Sequence, residues 1–459
     1  MKRYRNLTVQ TGLLAASLLV AVASYAKTTQ DDLKQLEGPL TPVGAERAAS
    51  KDGQIPAWSG KWLGAPPGVQ YKAGDRYADP YASEKPLYVI TAQNMAQYAD
   101  HLTEGEKALF KKYPETFKMP VYQSHRDFRF PDAYYKSITT YAPEVEMLPN
   151  ANGIKNSPAI VPYPVPKNGL ELMWNLRVSA GLAFEKATYD QAVVYPDGQI
   201  AWGRVKYSIY GPRSTFQFAP KDEIYNRSFF RTVTDLPLRD RGTVIIGYSV
   251  WNEDASNSNR TWMYNPGTRR VRQAPEYGFD QPSGPGGFRT VDDDRLYNGS
   301  GERYSWKIVG KKEMLVPYNN YKVMNTSTKY KDMLTKGHEN PDVMRYELHR
   351  VWVLEATLKQ GFRHQYAKRV LYLDEDSWIA LSADNYDARG QLWRTNFAST
   401  VYAYDAKFFY TTTVFFHDLI SGAYLADRLT NEGPMPALTP NSEFNESYFS
   451  PDAARSAGT

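Results

Sequence analysis

The sequence contains no cysteine, which excludes disulfides and thiolate metal sites. The same absence excludes the lipid-modified cysteine of a bacterial lipoprotein. Charge of one sign is not in excess either. The formal net charge is +5, and Lys2, Arg3 and Arg5 supply three of those charges, so nothing here draws nucleic acid in bulk. Histidine is scarce, with six in all, and His101, His125, His338 and His417 show no ligand-like spacing. No repeat with a period of 20–50 residues recurs, which excludes solenoids and propellers.

Catalytic motifs are missing as well. Gly247-Tyr-Ser-Val-Trp251 lacks the second glycine of a nucleophile elbow. Gly284-Pro-Gly-Gly287 follows no strand and precedes no Lys-Ser/Thr pair, so it is no phosphate loop. His349 and Glu355 share a strand face but stand about 20 Å apart along it, too far for a dyad; His364, after the Gln360-Gly361 turn, could approach His349 from a paired strand, but a turn-proximal or edge histidine is the commoner reading. Asp374-Glu375-Asp376 and the acidic run at 384–387 suit either Ca²⁺ ligation or solvated turns paired with Arg369, Arg389 and Arg394. The second reading is the commoner one. No catalytic residue, cofactor or metal is therefore predicted, and the chain is not expected to be an enzyme.

What is present begins with a leader. Three cations precede an apolar run at residues 13–23, followed by Ser24-Tyr25-Ala26 with small side chains at a cleavage position. Eleven helical residues reach about 16 Å, roughly half the hydrocarbon thickness, so residues 1–26 read as a cleaved secretory signal peptide and the expected location is the periplasm. Tyrosine (35) and tryptophan (10) are plentiful for a mean hydropathy of −0.57. Amphipathic rings supply much of the apolar surface.

Residues 27–90 are rich in glycine and proline and read as an extended arm, helical only near 31–36. Residues 91–459 read as one enlarged domain, helical over about 91–180 and a sheet over about 191–430. Helices are predicted at 91–98, at 103–112 behind the capping box Thr103-Glu-Gly-Glu106, at 132–141 and at 169–178. The five prolines of 149–166 mark a loop or hinge. From residue 191 the period becomes two: Val205, Tyr207 and Ile209 share a face, as do Val244, Ile246, Tyr248 and Val250, then Tyr304, Trp306 and Ile308, then Trp352, Leu354, Ala356 and Leu358. Asn265-Pro266-Gly267-Thr268 suits a type II turn, and Asp292-Asp293-Asp294 suits the start of a short helix. A continuous antiparallel meander follows. The fold class is mainly β with α, a large curved sheet, or incomplete barrel, with the N-terminal helices on its concave side.

Five stretches carry a family resemblance: Trp262-Met-Tyr-Asn-Pro-Gly-Thr-Arg-Arg-Val-Arg-Gln-Ala-Pro275; Arg303-Tyr-Ser-Trp-Lys-Ile-Val-Gly-Lys-Lys-Glu-Met-Leu-Val-Pro-Tyr-Asn-Asn-Tyr321; Arg345-Tyr-Glu-Leu-His-Arg-Val-Trp-Val-Leu-Glu-Ala-Thr-Leu358; Tyr372-Leu-Asp-Glu-Asp-Ser-Trp378; and Asp384-Asn-Tyr-Asp-Ala-Arg-Gly-Gln-Leu-Trp-Arg394. Here the chain resembles the bacterial family catalogued as domain of unknown function 1329. The resemblance implies a periplasmic protein of Gram-negative bacteria with a lipoprotein-carrier (LolA/LolB-like) fold, in which an incomplete barrel holds acyl chains beneath helices. It implies traffic of a lipid or other hydrophobic molecule through the envelope, with an efflux pump and an outer-membrane protein as partners. No catalytic residues are carried over with it.

On that footing Tyr207, Tyr248, Trp306 and Trp352 are the candidate lining of a channel for an acyl or polycyclic ligand. The same rings suit an ordinary packed core, and the sequence leaves both readings open. Arg269, Arg270, Arg272, Arg345 and Arg350 suit solvated strand faces, anionic head groups or a protein partner. The leading expectation is a periplasmic carrier. Its rival is a ligand-free accessory scaffold for an outer-membrane or exporter protein.

Overall fold

The computed structural model describes residues 27–149, 151–179, 184–212, 226–250, 259–274, 278–439 and 444–458; the leader, Trp251 and Pro275 lie outside them. In chain order the strands are β1 (Tyr88–Ile90), β2 (Met119–Val121), β3 (Glu146–Met147), β4 (Ile154–Lys155), β5 (Phe184–Val194), β6 (Ile200–Tyr210), β7 (Asn226–Leu236), β8 (Val244–Val250), β9 (Arg260–Asn265) and β10 (Arg270–Ala274). They continue as β11 (Pro282–Ser283), β12 (Arg289–Thr290), β13 (Tyr304–Pro317), β14 (Tyr346–Leu358), β15 (Lys368–Asp374), β16 (Ala380–Tyr386), β17 (Leu392–Ala403), β18 (Phe408–Asp418), β19 (Tyr424–Leu429) and β20 (Ala437–Thr439). The α-helices are α1 (Gln30–Glu37), α2 (Glu104–Lys112), α3 (Asp132–Tyr141), α4 (Gly169–Ser179), α5 (Tyr330–Met333) and α6 (Pro451–Ala457).

The expected class holds: mainly β, one large open sheet with helices packed on it. The meander, however, is broken once. It runs β13-β14-β15-β16-β17-β18-β19, then continues through β5-β6-β7-β8-β9-β10, so the last long strand, β19, closes the gap beside the first, β5, pairing Tyr424 with Val194. Short strands β1 and β2 extend the sheet at the start of β14, where Val121 meets Tyr346 in parallel. Strands β13 and β10 are not partners, and the barrel stays incomplete.

Helices cover both faces of the β13–β18 half. Helix α4 and the arm lie on the face carrying Leu354, Ala356, Leu371 and Ala383, a core that also takes in the fully buried Trp174 and Trp378. Helix α2 lies on the other face, where Leu109 and Phe110 meet Phe397 and Phe415. The arm is tied down along its length: Trp378 Nε1 donates to the Val43 carbonyl at 2.9 Å, and Arg76 donates to the carbonyls of Met324, Thr430 and Gly433 at 2.8, 2.6 and 2.6 Å. The proline-rich stretch after residue 150 is no exposed hinge, because Ile154, Ile160, Val161 and Tyr163 are buried in the same core. The 91–98 helix forms later, as a 3-10 turn at Met95–His101.

Helix α2 starts as predicted, with Thr103 N donating to Glu106 Oε2 at 2.8 Å and Glu106 N to Thr103 Oγ1 at 3.1 Å. It sits so low on the sheet that a Cβ at Gly105 would come 1.9 Å from Thr395 Oγ1. Two carboxyls are trapped beneath it. Burial, added to by Asp384, pushes Glu106 up to about 8 against the Thr103 hydrogen bonds, and burial pushes Asp384 up to about 6 against bonds from Thr395, Gly105 and Tyr372. The folded state therefore keeps the Glu106 proton while the unfolded chain, at its ordinary 4.5, has lost it. Stability falls as pH rises between about 4.5 and about 8, by at most roughly 1.4 kcal/mol per pH unit for this group. Urea unfolding at pH 6, 7 and 8 should show the wild type losing ground to Glu106→Gln; a gap that does not change with pH would contradict the assignment.

The hairpin β9–β10 forms, but its turn differs from type II. That turn needs positive φ at Gly267, whereas the left-handed residue is Arg269 at φ 54°. Asn265 pairs with Arg270, and Thr268 N donates to Asn265 Oδ1 at 3.1 Å.

Candidate functional site

Beyond β19 the sheet has one packed face and one hollow face. On the packed face Val244, Ile246 and Tyr264 are buried with Phe449 and Ala454, so it is the C-terminal helix α6 that covers them. The opposite face of β5–β9 floors a cavity of about 1210 Å³, larger than the roughly 300–1,000 Å³ of an ordinary small-molecule site. Val205, Tyr207, Ile209, Phe230, Ile245 and Met263 lie in it. Strand register makes these one surface: Tyr207 stands opposite Thr232, Ile209 opposite Phe230, and Ile245 opposite Met263. The wall opposite the floor is the loop at 282–298, together with Leu176, Arg177 and Val178 in the last turn of α4. Gly203 allows that loop to rest on the sheet, since a Cβ there would come 2.7 Å from Pro285 Cγ.

Of the four predicted lining residues, Tyr207 alone lies in the cavity. Its burial, with Asp294 and Glu185 nearby, pushes the phenol up, so it meets the cavity as a neutral hydroxyl. Tyr248 is on the opposite face of β8, where its hydroxyl donates to the Phe449 carbonyl at 3.0 Å and its ring packs on Phe229 and Trp262. Trp306 packs edge-on to Tyr297 and donates from Nε1 to the Gly301 carbonyl at 2.9 Å. Trp352 is stacked on Trp378 beneath the arm, with Lys311 over its ring at 4.8 Å. These three belong to packed parts of the protein. Tyr248 fails by parity: alternation on β8 marks Val244, Ile246 and Tyr248 as one face, but that face belongs to α6, and Ile245 turns to the cavity.

The acidic clusters resolve largely into ion pairs, with Asp384 instead held beneath α2 by Gly105, Thr395 and Tyr372. Asp376 receives Arg126 through Nε at 2.7 Å and Nη2 at 2.8 Å; Glu375 meets Arg126, Lys311 and Arg350. His349, Asp374 and Asp376 bring potential ligand atoms within 4.8 Å of one another, yet His349 Nε2 is on Glu347 at 3.0 Å and Asp374 accepts from Tyr318 and Ser377. Arg369 pairs with Asp292 and Asp293 instead of the 374–376 group, and His364 joins Asp292 rather than His349. Arg389 does pair with Asp387. Among the five singled-out arginines, Arg345 is buried between Glu84 and Glu347, and Arg350 is buried near Glu46 and Glu375; Arg269, Arg270 and Arg272 stay exposed around the edge hairpin.

Sequence reasoning missed the wall. Arg177, Arg289, Arg295 and Arg428 all line the cavity with Asp294 and Asp427, and they come from α4, β12, the 3-10 turn at Val291–Leu296 and β19. Gly284-Pro-Gly-Gly287 was the available signal: three glycines with φ of 77°, 63° and 68° make the tight loop that caps the hollow.

Comparison with known proteins adds the following. A family model described as "Protein of unknown function (DUF1329)" matches residues 89–455. An uncharacterised protein of Pseudomonas aeruginosa, PA3922, is 39% identical over 468 residues, covering 99% of each chain. Among solved structures, a DUF1329 family protein from Desulfovibrio piger is 15% identical with a TM-score of 0.43, covering 62% of this chain and 97% of that one. A putative outer membrane lipoprotein-sorting protein domain from Vibrio parahaemolyticus is 16% identical with a TM-score of 0.43, covering 62% and 98%.

Proposed function

The chain belongs to the DUF1329 family, and from the cavity its sheet builds we propose that it is a periplasmic carrier for a lipid or another hydrophobic molecule. The single observation behind this reading is the hollow floored by Val205, Ile209, Phe230, Ile245 and Met263. Most of these side chains are only half-buried, although the other half of the same sheet is covered on both faces. Apolar surface held open in this way gains by taking a ligand.

The energetics suffice without covalent chemistry. Burying a methylene contributes about 0.8 kcal/mol, so a sixteen-carbon chain contributes about 12 kcal/mol gross. Association costs at least about 4 kcal/mol, and a net of about 8 kcal/mol corresponds to a Kd of about 1 μM. The leader-like first 26 residues support export, and no helix among the described residues is long and apolar enough to cross a membrane. An efflux pump and an outer-membrane protein are the partners this reading assigns to the two ends of the route.

Protein isolated from its own periplasm should release a lipid on solvent extraction and show a matching mass increment by native mass spectrometry. The stripped protein should bind a fluorescent fatty-acid probe with micromolar affinity. A chain that is ligand-free as isolated and takes up no probe would instead favour a scaffold that works through its surface.

A further inference from the structure

The cavity is not apolar throughout. Its floor is hydrocarbon, but the wall carries Arg177, Arg289, Arg295 and Arg428 among Asp294 and Asp427. Arg289 and Arg428 are held at fixed places by salt bridges. Arg289 Nε donates to Asp427 Oδ2 at 3.0 Å, and Arg428 Nη2 donates to Glu185 Oε1 at 2.6 Å as well as to the hydroxyls of Tyr189 at 2.8 Å and Tyr410 at 3.1 Å. Four guanidinium-bearing side chains from separate segments thus line one side of the hollow.

Two further observations point to a ligand there. Arg295 and Arg428 have φ of 53° and 63°, a left-handed conformation that residues bearing side chains avoid and that collects at binding sites. Among the described residues the buried Nε of Arg428 has no hydrogen-bond acceptor, and an oxygen of a ligand would satisfy it. Tyr207 lies within electrostatic reach of Asp294, Arg295 and Arg428, so charged wall and apolar floor meet at this residue.

We propose that the ligand is an amphiphile with an anionic head, a carboxylate or a phosphate, seated against Arg295 and Arg428, with its hydrocarbon lying along β6–β9. The proposal rests on the carrier reading and specifies which end of the ligand goes where. Guanidinium groups suit both heads, because their planar fork matches two oxygens at once.

The test uses the delipidated full-length mature chain at pH 8 and three sixteen-carbon probes below their micellar concentrations: palmitate, hexadecyl phosphate and hexadecanol, each displacing the fluorescent probe. At least one anion should bind ten-fold or more tighter than the alcohol, and which one does so identifies the head. Arg295→Gln should cut that advantage below three-fold while leaving hexadecanol unchanged. The double variant Arg428→Met with Glu185→Gln, which removes both partners of the buried pair, should do the same. Acetate and inorganic phosphate alone should not displace the probe at millimolar concentration; if phosphate alone binds as tightly as hexadecyl phosphate, the site is for a free anion and the proposal falls. Equal binding of all three probes overturns the head-group assignment but leaves the carrier reading standing, as does an advantage that survives in both variants. Failure of all three to bind overturns both.

Discussion

Replacing Arg369 with methionine is expected to lower the unfolding free energy by about 3–5 kcal/mol. The side chain is completely buried, with Nη2 on Asp292 at 2.6 Å and Nη1 on Asp293 at 3.2 Å, and its guanidinium lies 4.7–5.7 Å from the rings of Tyr297, Tyr304 and Tyr366. Burial by itself raises the Asp292 carboxyl, yet the charge of Arg369, helped by His364 and Thr290, brings it down to about 2. Without the arginine, two carboxylates remain in a dry interior with little to balance them, and that uncompensated charge, more than the lost contacts, sets the size of the effect. The triple variant with Asp292→Asn and Asp293→Asn should recover a large part of the loss in urea unfolding. A single variant within about 1 kcal/mol of the wild type would show that the network is incidental. Because Asp292 and Asp293 lie just ahead of Asp294 and Arg295, the same network anchors the cavity wall to the sheet.

The second large effect is on binding. Ile245→Trp combined with Met263→Trp should weaken the fatty-acid probe roughly fifty-fold, the equivalent of excluding about three methylenes, with thermal stability kept. Both side chains are half-buried and stand side by side on the floor, so larger rings occupy the hollow without displacing packed neighbours. Trp306→Ala and Trp352→Ala give the opposite pattern: each opens a gap in packed structure and destabilises the protein, while probe affinity stays within about three-fold. If the tryptophan pair leaves binding intact, the ligand lies elsewhere.

That contrast shows what could be read from the sequence. The capping box at Thr103 and Glu106, the helix at 132–141 and the face shared by Val205, Tyr207 and Ile209 are local, set by spacings of three, four or two residues, and each appears as read. The hollow is not local. Trp306 and Tyr207 follow the same alternation, yet one is packed and the other lines space, because what covers each strand comes from distant segments: α4 and the arm for β13–β14, and the loop at 282–298 for β6. Periodicity reports that a face is covered without naming the cover. On β8 both faces carry apolar residues, so parity alone misassigns Tyr248. The glycines of 284–287 were a local sign of the capping loop, but not of its charge, since the arginines of the wall have no common motif and meet only in three dimensions.

The pairing of Tyr424 with Val194 has a consequence for how the chain is made. A ribosome delivers β5 long before β19, and until residue 429 has emerged, the strands that floor the cavity have an unpaired border on one side. A bare edge of this kind invites pairing with another chain, and contacts so distant in sequence form slowly. The border of the half that would hold the ligand is thus closed only by strands from the far end of the chain, β19 and β20.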